Sequence, residues 1–317
     1  MNVNTLRISV TSRCNLRCVY CSPLGRDTVT DRGEVLPLDE IRRVVRLGVE
    51  CGITRVRLTG GEPLLRRDIV SLVRELAGIP GIEEVAMTTN GILLGEVASE
   101  LKGAGLTRVN ISLDSAGRGC YTQMTGSDLL SPVMSGMSRA LEVGLTPVRL
   151  NCVVLRDVNA AQIPALAEMT LRLPVSVRFI EYCPTSPYGP PGTCYVPSSE
   201  VRQIIESRFG PLYGTVLPEA NGPAVYFKVE GSAGAIGFIS GRSSAFCHRC
   251  TRLRLTSDGQ IRPCLFSGQS YDLRGLLRGG AGDLAILDLL LKIVREKHCF
   301  TRLTASVADF SMQGIGG

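Results

Sequence analysis

Long apolar runs, blocks of basic residues and a phosphate-cradling glycine loop are all missing from this sequence, and each absence removes a class of protein. No stretch approaches the roughly 20 apolar residues that span a bilayer. The most apolar late segment, 285–294, is broken by Asp288 and Lys292 and reads as an amphipathic surface helix. The N-terminus passes straight into a strand-like alternation, so no signal peptide is expected and a cytoplasmic location is. A net charge of +6 without any Lys/Arg block argues against a nucleic-acid arm; the scattered arginines should serve a site. A GxxxxGK(S/T) loop is lacking, so a bound nucleotide would not be held in the P-loop manner. Low-complexity tracts are missing too. With 44% hydrophobic and 20% charged residues over 317 positions, the composition is globular.

Cysteine is abundant, with 12 in the chain. Without a secretion signal, metal binding is the better reading than disulfides. Six form two tight groups: Cys14, Cys18 and Cys21, then Cys247, Cys250 and Cys264. The others (Cys51, Cys120, Cys152, Cys183, Cys194, Cys299) are dispersed, mostly among apolar neighbours, and are expected to be packed inside.

The first 182 residues repeat one scheme of short strand, polar motif, amphipathic helix and turn. The alternation predicts strands at 6–11, 55–59, 85–90, 108–114, 148–154 and 175–181. Helices are predicted near 38–51, 68–77, 92–102, 130–143 and 159–172, with Gly52, Gly78, Gly105 and Gly144 at or past their ends. Strands alternating with helices imply a parallel sheet with right-handed crossovers. Six units fit an α/β fold, an open, partial (β/α)6 barrel; a doubly wound sheet is the alternative. After Tyr182 the texture changes. Residues 184–197 read as a linker, followed by a helix at 198–209, two strands around 231–234, and the second cysteine group. A hairpin then turns at Ser257-Asp258-Gly259, and a final helix and glycine tail close the chain. The expected division is a barrel at 1–183 and a C-terminal α+β region at 184–317 that carries the second cysteine group.

Strand parity separates two faces. One carries Leu6, Ile8, Val56, Leu58, Val85, Met87, Val109, Ile111, Val148, Leu150, Val177 and Phe179 and should pack under the helices. The other carries Arg7, Arg57, Thr88, Asn110, Ser112, Arg149, Asn151 and Arg178. A closed barrel fills its interior with branched apolar side chains. Four interior arginines instead call for an anionic ligand, since an unpaired buried charge costs several kcal/mol.

Cys14, Cys18 and Cys21 have CxxxCxxC spacing and begin three residues past the first predicted strand. Structural zinc takes four protein ligands, and a four-iron cluster usually takes four cysteines. Three thiolates with no obvious fourth point to a cluster with one iron open; the alternative is a chance triad or a zinc site missing its fourth ligand. Thr59-Gly60-Gly61-Glu62-Pro63 follows at the end of the second strand. In this order the motifs resemble the radical-SAM superfamily. There the open iron chelates S-adenosylmethionine (SAM), and reductive cleavage yields a 5′-deoxyadenosyl radical. The resemblance implies SAM-side roles for Tyr20, Gly60, Gly61, Glu62, Ser112 and Cys183.

The second group, Cys247-His-Arg-Cys250 with Cys264 across a hairpin, leaves zinc open, because His248, His298 or Cys299 could add a ligand. The text from Cys250 through Arg252, Arg254 and Asp258-Gly259 to Pro263-Cys264-Leu265 resembles the C-terminal cluster motif of the MoaA family, the GTP 3′,8-cyclases of molybdenum-cofactor biosynthesis. The end, Gly314-Ile315-Gly316-Gly317, is similar as well, so the likeness runs from Leu6 to Gly317. It implies two four-iron (4Fe–4S) clusters, held by Cys14, Cys18 and Cys21 and by Cys247, Cys250 and Cys264. It implies a triphosphate held by Arg7, Arg57, Arg149, Arg178, Arg252 and Arg254, with Thr88 on the nucleoside side. Arg252, Arg254, Gly316 and Gly317 take catalytic roles, the diglycine reaching into the active site. In the family reaction the radical removes the ribose 3′-hydrogen and the sugar closes onto guanine C8, giving 3′,8-cyclo-7,8-dihydro-GTP. Six guanidiniums facing a charge of about −4 is sensible bidentate chemistry.

As partners the resemblance implies GTP, a flavodoxin- or ferredoxin-type electron donor and a downstream cyclic pyranopterin monophosphate synthase, and it leaves room for a homodimer. Neither nucleic acid nor a membrane is expected. Arg149 departs from a common Lys, Cys183 and Ser22 from common Met residues, and the loop after Cys21 is short. The rival readings are a radical-SAM peptide-modifying enzyme with an auxiliary cluster and a zinc-binding interaction protein.

Overall fold

The computed structural model describes residues 3–21, 35–184, 190–217, 222–244, 246–266, 268–297 and 315. The barrel half is built of β1 (Thr5–Ser9), α1 (Leu38–Glu50), β2 (Arg55–Thr59), α2 (Ile69–Ala77), β3 (Glu84–Thr89) and α3 (Leu94–Gly103). It continues with β4 (Arg108–Ser112), α4 (Arg118–Thr125), α5 (Leu130–Glu142), β5 (Val148–Val154), α6 (Arg156–Asn159), α7 (Ile163–Arg172) and β6 (Val175–Glu181). Then come α8 (Ser198–Phe209), β7 (Tyr213–Thr215), β8 (Val225–Lys228), β9 (Ala235–Ile239), β10 (Arg252–Leu255), β11 (Gln260–Arg262), β12 (Tyr271–Asp272), α9 (Leu273–Arg278) and α10 (Asp283–Glu296). All six predicted strands are present. Those predicted at 55–59, 148–154 and 175–181 keep their bounds, and the others shift by one or two residues at their ends.

Local chemistry accounts for the helices. In α1, Asp39 and Glu40 occupy the first turn, where the helix dipole favours acids, and Ile41, Val44, Val45 and Leu47 form the buried stripe. Every residue assigned by parity to the helix-covered face is at most 1% exposed. Burying that continuous face drives the fold.

One 12-stranded sheet results, in the order β12-β11-β10-β1-β2-β3-β4-β5-β6-β9-β8-β7. Strands β1 to β6 are parallel, and the sheet is open. What the pattern did not disclose is where the C-terminal strands go. β10 adds in parallel beside β1 and β9 in parallel beside β6, so the later region lengthens the barrel sheet at both edges. The hairpin turning at 257–259 is β10–β11, and the strands around 231–234 are the antiparallel pair β8 and β9. Of the expected linker, 185–189 lie outside the described residues, while Tyr195 bridges to Leu155. The final helix packs against α1 and α9, with Ile286, Leu290 and Ile293 buried.

Interior packing of the dispersed cysteines holds only for Cys152. Cys51, Cys120, Cys183 and Cys194 are half-buried, and Cys299 lies outside the described residues. Apolar neighbours in sequence placed them at the margin of the core, because parity and helix phase, not composition, decide depth.

Candidate active site and metal centres

Cys14, Cys18 and Cys21 follow the carboxyl end of β1. Their loop is seated by backbone: Gly61 N donates to Thr11 O at 2.8 Å and Glu62 N to Arg13 O at 2.7 Å. A Cβ on Gly60 would lie 2.5 Å from Thr11 O, and one on Gly61 would lie 2.0 Å from Arg13 O. No side chain fits either place, so both glycines let two loops touch. The fully buried Glu62 carboxylate accepts from Leu64 N (3.0 Å), Thr89 Oγ1 (2.7 Å) and Asn90 N (2.7 Å). Burial pushes its pKa up to about 7 against those hydrogen bonds. The motif acid therefore ties the loop after β2 to the end of β3. On the other flank Arg17 N donates to Thr125 O and Val19 N to Met124 O, bonding the cysteine loop to the end of α4.

Tyr20 Oη donates to Asp114 Oδ2 at 2.7 Å, and Asp114 Oδ1 accepts from Val153 N at 2.8 Å. Asp114 is 3% exposed, and burial raises its pKa to about 6. The sequence analysis gave Asp114 no task; the signal was an acid at the end of the predicted strand, two residues past Ser112 and so of the same parity. Ser112 ends β4 and Cys183 lies two residues past β6, so the SAM-side candidates all cluster at the carboxyl ends of the strands.

The three thiols share one neighbourhood. Burial first, then Cys14 and Asp114, push Cys21 up to about 12, and Cys18 is raised by burial, Asp114, Cys21 and Cys14. Among the described residues no three His, Cys, Asp or Glu side chains converge on a point for a single metal ion. A four-iron cluster asks for no such convergence, since its cysteines bind separate corners. Soft thiolate donors that resist ionisation until a metal arrives fit such a cluster.

The second triad lies at the other end of the sheet. Cys247 starts a short turn, Cys250 precedes β10 by two residues, and Cys264 follows β11 by two. β10 runs parallel to β1, so this triad faces the amino ends of the strands. At about 3.3 Å per residue, the five residues of β1 alone put about 16 Å between the two ends. Burial opposes ionisation of Cys250, but the Arg252 and Lys297 charges outweigh it and bring the thiol down to about 7. Lys297 is 3% exposed and its Nζ donates to Pro263 O, next to Cys264. Sequence reasoning missed it. The available signal was spacing: Ile286, Leu290, Ile293 and Lys297 share one helix stripe.

Between the ends, register lines up the arginines. Arg262, Arg254, Arg7, Arg57, Ala86 and Arg108 stand abreast on six adjacent strands. Thr88, Asn110 and Arg149 share the next rank, and Ser112, Asn151 and Arg178 the one after. Arg149, Arg178 and Arg254 are at most 6% exposed. Burial, then Arg254 and Arg57, hold Arg7 well below its ordinary value; burial and Arg108 bring Arg149 to about 10; burial and Arg252 bring Arg254 to about 10. The Nε atoms of Arg7 and Arg57 are buried with no hydrogen-bond partner among the described residues. Such a lumen is built for a polyanion. Arg178 donates to Asn151 (2.8 Å) and Asn110 (3.0 Å), and Asn110 donates to Thr88 (3.2 Å), which fixes the middle ranks. Arg108 and Arg262 went unnamed in the sequence reading, although Arg108 shares the parity of Asn110. Gly316 and Gly317, like His298 and Ser22, lie outside the described residues; Ile315 is buried.

An open parallel α/β sheet with a CxxxCxxC loop seated on a GGEP turn defines a radical SAM protein, and residues 8–170 match the radical SAM superfamily. Residues 175–301 match the molybdenum cofactor synthesis C-terminal family. The chain is 46% identical over 297 residues to a GTP 3′,8-cyclase of Pelotomaculum thermopropionicum, covering 93% of this chain and 91% of that one. It is 38% identical to the GTP 3′,8-cyclase of Alkaliphilus metalliredigens over 100% of this chain and 98% of the other. The chain belongs to the GTP 3′,8-cyclase family. Among solved structures, Streptococcus suis SuiB bound to its precursor peptide SuiA superimposes with a TM-score of 0.67 at 16% identity, covering 94% of this chain and 67% of that one. At that identity the likeness is one of fold.

Proposed function

We propose that the protein is a radical SAM GTP 3′,8-cyclase that converts GTP to 3′,8-cyclo-7,8-dihydro-GTP in molybdenum-cofactor biosynthesis. The observation that carries the reading is the set of arginine ranks lying between two cysteine triads at opposite ends of one sheet. Cys14, Cys18 and Cys21 would hold one four-iron cluster, and Cys247, Cys250 and Cys264 the other. Bound with SAM at the first triad, the reduced cluster supplies a 5′-deoxyadenosyl radical.

The chain's own residues position and shield. Gly60 and Gly61 fix the loop that presents the first triad, and Glu62 braces it. Tyr20, held by Asp114, together with Ser112 and Cys183, lines the SAM side. Arg7, Arg57, Arg149, Arg178, Arg252 and Arg254 take the triphosphate, and Thr88 faces the nucleoside. Their placement on strands, not loops, holds the ribose toward the carboxyl end and the guanine toward the second triad, which is the orientation the ring closure needs. Gly316 and Gly317 are assigned to the active site with Arg252 and Arg254. The working unit is a barrel at 1–183 with a cluster and substrate region at 184–317. A flavodoxin- or ferredoxin-type donor, a cyclic pyranopterin monophosphate synthase downstream, a homodimer and a cytoplasmic setting complete the proposal. Among the described residues no helix is long and apolar enough to cross a membrane.

Anaerobically reconstituted, reduced protein given SAM and GTP should form 5′-deoxyadenosine and a cyclised nucleotide in equal amounts. Deoxyadenosine formed only with a peptide would replace this reading with the peptide-modifying one; zinc without iron or sulfide would remove both.

A further inference from the structure

Asp114 is tied into more of the sheet than its contact with Tyr20 requires. The backbone ladder between β4 and β5 ends with Leu113 N donating to Asn151 O at 2.8 Å. At the next step along β5 the amide of Val153 donates to Asp114 Oδ1 at 2.8 Å, so a side chain takes over the pairing where the backbone ladder stops. The other oxygen, Oδ2, accepts from the Tyr20 hydroxyl at 2.7 Å. One buried carboxylate thus joins the cysteine loop to the ends of β4 and β5.

Asp114 is itself fixed from behind. Asn159, 1% exposed, donates through Nδ2 to Asp114 O at 2.8 Å and to Val153 O at 2.9 Å, and its Oδ1 accepts from Leu155 N at 2.7 Å. Both amide hydrogens and the amide oxygen are therefore engaged in holding the ends of the two strands.

Tyr20 and Val153, the two groups that this carboxylate holds, are only half-buried. They border a small apolar group of Met124, Leu155 and Tyr182 that is separate from the main core. An apolar surface with an open side, next to the first triad and hydrogen-bonded at its back, suits the flat purine of an adenosyl group. Tyr20 is on a loop, and a loop side chain that must become ordered on binding weakens that binding. A tether made in advance removes the cost.

We infer that Asp114, clamped by Asn159, is a positioning residue for SAM, fixing the Tyr20 ring beside the first triad before SAM binds. The inference rests on the placing of Tyr20 on the SAM side.

The test is a double-mutant cycle on holoenzyme reconstituted with both clusters, with SAM and GTP affinities measured by equilibrium binding. Asp114→Ala and Tyr20→Phe should each weaken SAM binding by about tenfold, the scale of a hydrogen bond to a charged group. The double variant should lose no more than about twofold beyond either single one, since both changes break the same contact. GTP affinity should stay within about twofold of native, because the arginines that take it stand on other residues of the strands. Tyr20→Phe keeps the ring and removes only the hydroxyl, so it serves if Asp114→Ala does not fold. Native SAM affinity in either single variant, losses that multiply in the double variant, or an equal loss of SAM and GTP would overturn the inference and leave Asp114 a brace of the fold. If Tyr20→Ala binds SAM as tightly as the native protein, the placing of Tyr20 on the SAM side fails instead.

Discussion

Arg252 and Arg254 lie on β10 just past Cys250, and Arg254 stands abreast of Arg7 in the rank of arginines. Arg252→Ala should weaken GTP binding by about tenfold or more, as loss of a charge-assisted contact does. SAM cleavage uncoupled from GTP should persist, because the first triad is at the other end of the strands. Equilibrium binding and deoxyadenosine release without GTP separate the two effects. Lys297 offers a pH test. Cys250 is depressed to about 7 by Arg252 and Lys297 acting against burial. In cluster-free protein, alkylation of Cys250 should therefore rise through a midpoint near neutrality. Removing a cation destabilises the thiolate, so Lys297→Met and Arg252→Ala should each move that midpoint upward. Mass spectrometry of the Cys250 peptide across the pH range reads it.

Elements matter through how closely their ends approach. The loops after β1 and β2 touch backbone to backbone at Gly61, where a Cβ would lie 2.0 Å from Arg13 O. Gly61→Ala must push these loops apart, at a cost of about 3 kcal/mol by the measure of overpacked sites. Reconstituted Gly61→Ala protein should carry iron and sulfide for one cluster, not two; full loading of both would contradict the role given to this turn. The sequence reading had these glycines admitting SAM, and their packing against residues 11–13 was invisible because it joins segments about fifty positions apart. The strands were legible because alternation repeats within each one. α4 and the hairpins β7–β8 and β11–β12 were not marked, being short and lacking a clean period.

For the molecule as a whole, the arginine ranks make the unliganded lumen self-repelling, and a polyanion relieves that strain. Inorganic triphosphate and GTP should both raise the thermal midpoint, GTP more. At a hundredfold excess over Kd, the gain from one site is about 2.7 kcal/mol. For a chain this size that amounts to several degrees, measured by scanning fluorimetry at low salt. Guanosine alone should do far less. The effect should shrink as ionic strength rises, since screening weakens contacts that solvent reaches.

Composition and local period were enough to determine the cysteine triads, the six strand–helix units and the two faces of each strand, because each of these lies within a window of about twenty residues. The polar parity of Arg7, Arg57, Arg149 and Arg178 already announced an anionic ligand. Only tertiary structure decided that β10 adds beside β1 and β9 beside β6, which sets the second triad at the amino ends of the strands, away from the first. Register then brought Arg262, Arg254, Arg7, Arg57 and Arg108 into one rank, with the Glu84 carboxylate held between Arg57 and Arg108. Pairing between strands distant in sequence has no local signature: it is chosen by burial of the whole sheet face, and residues far apart in the chain become neighbours only once that face is covered.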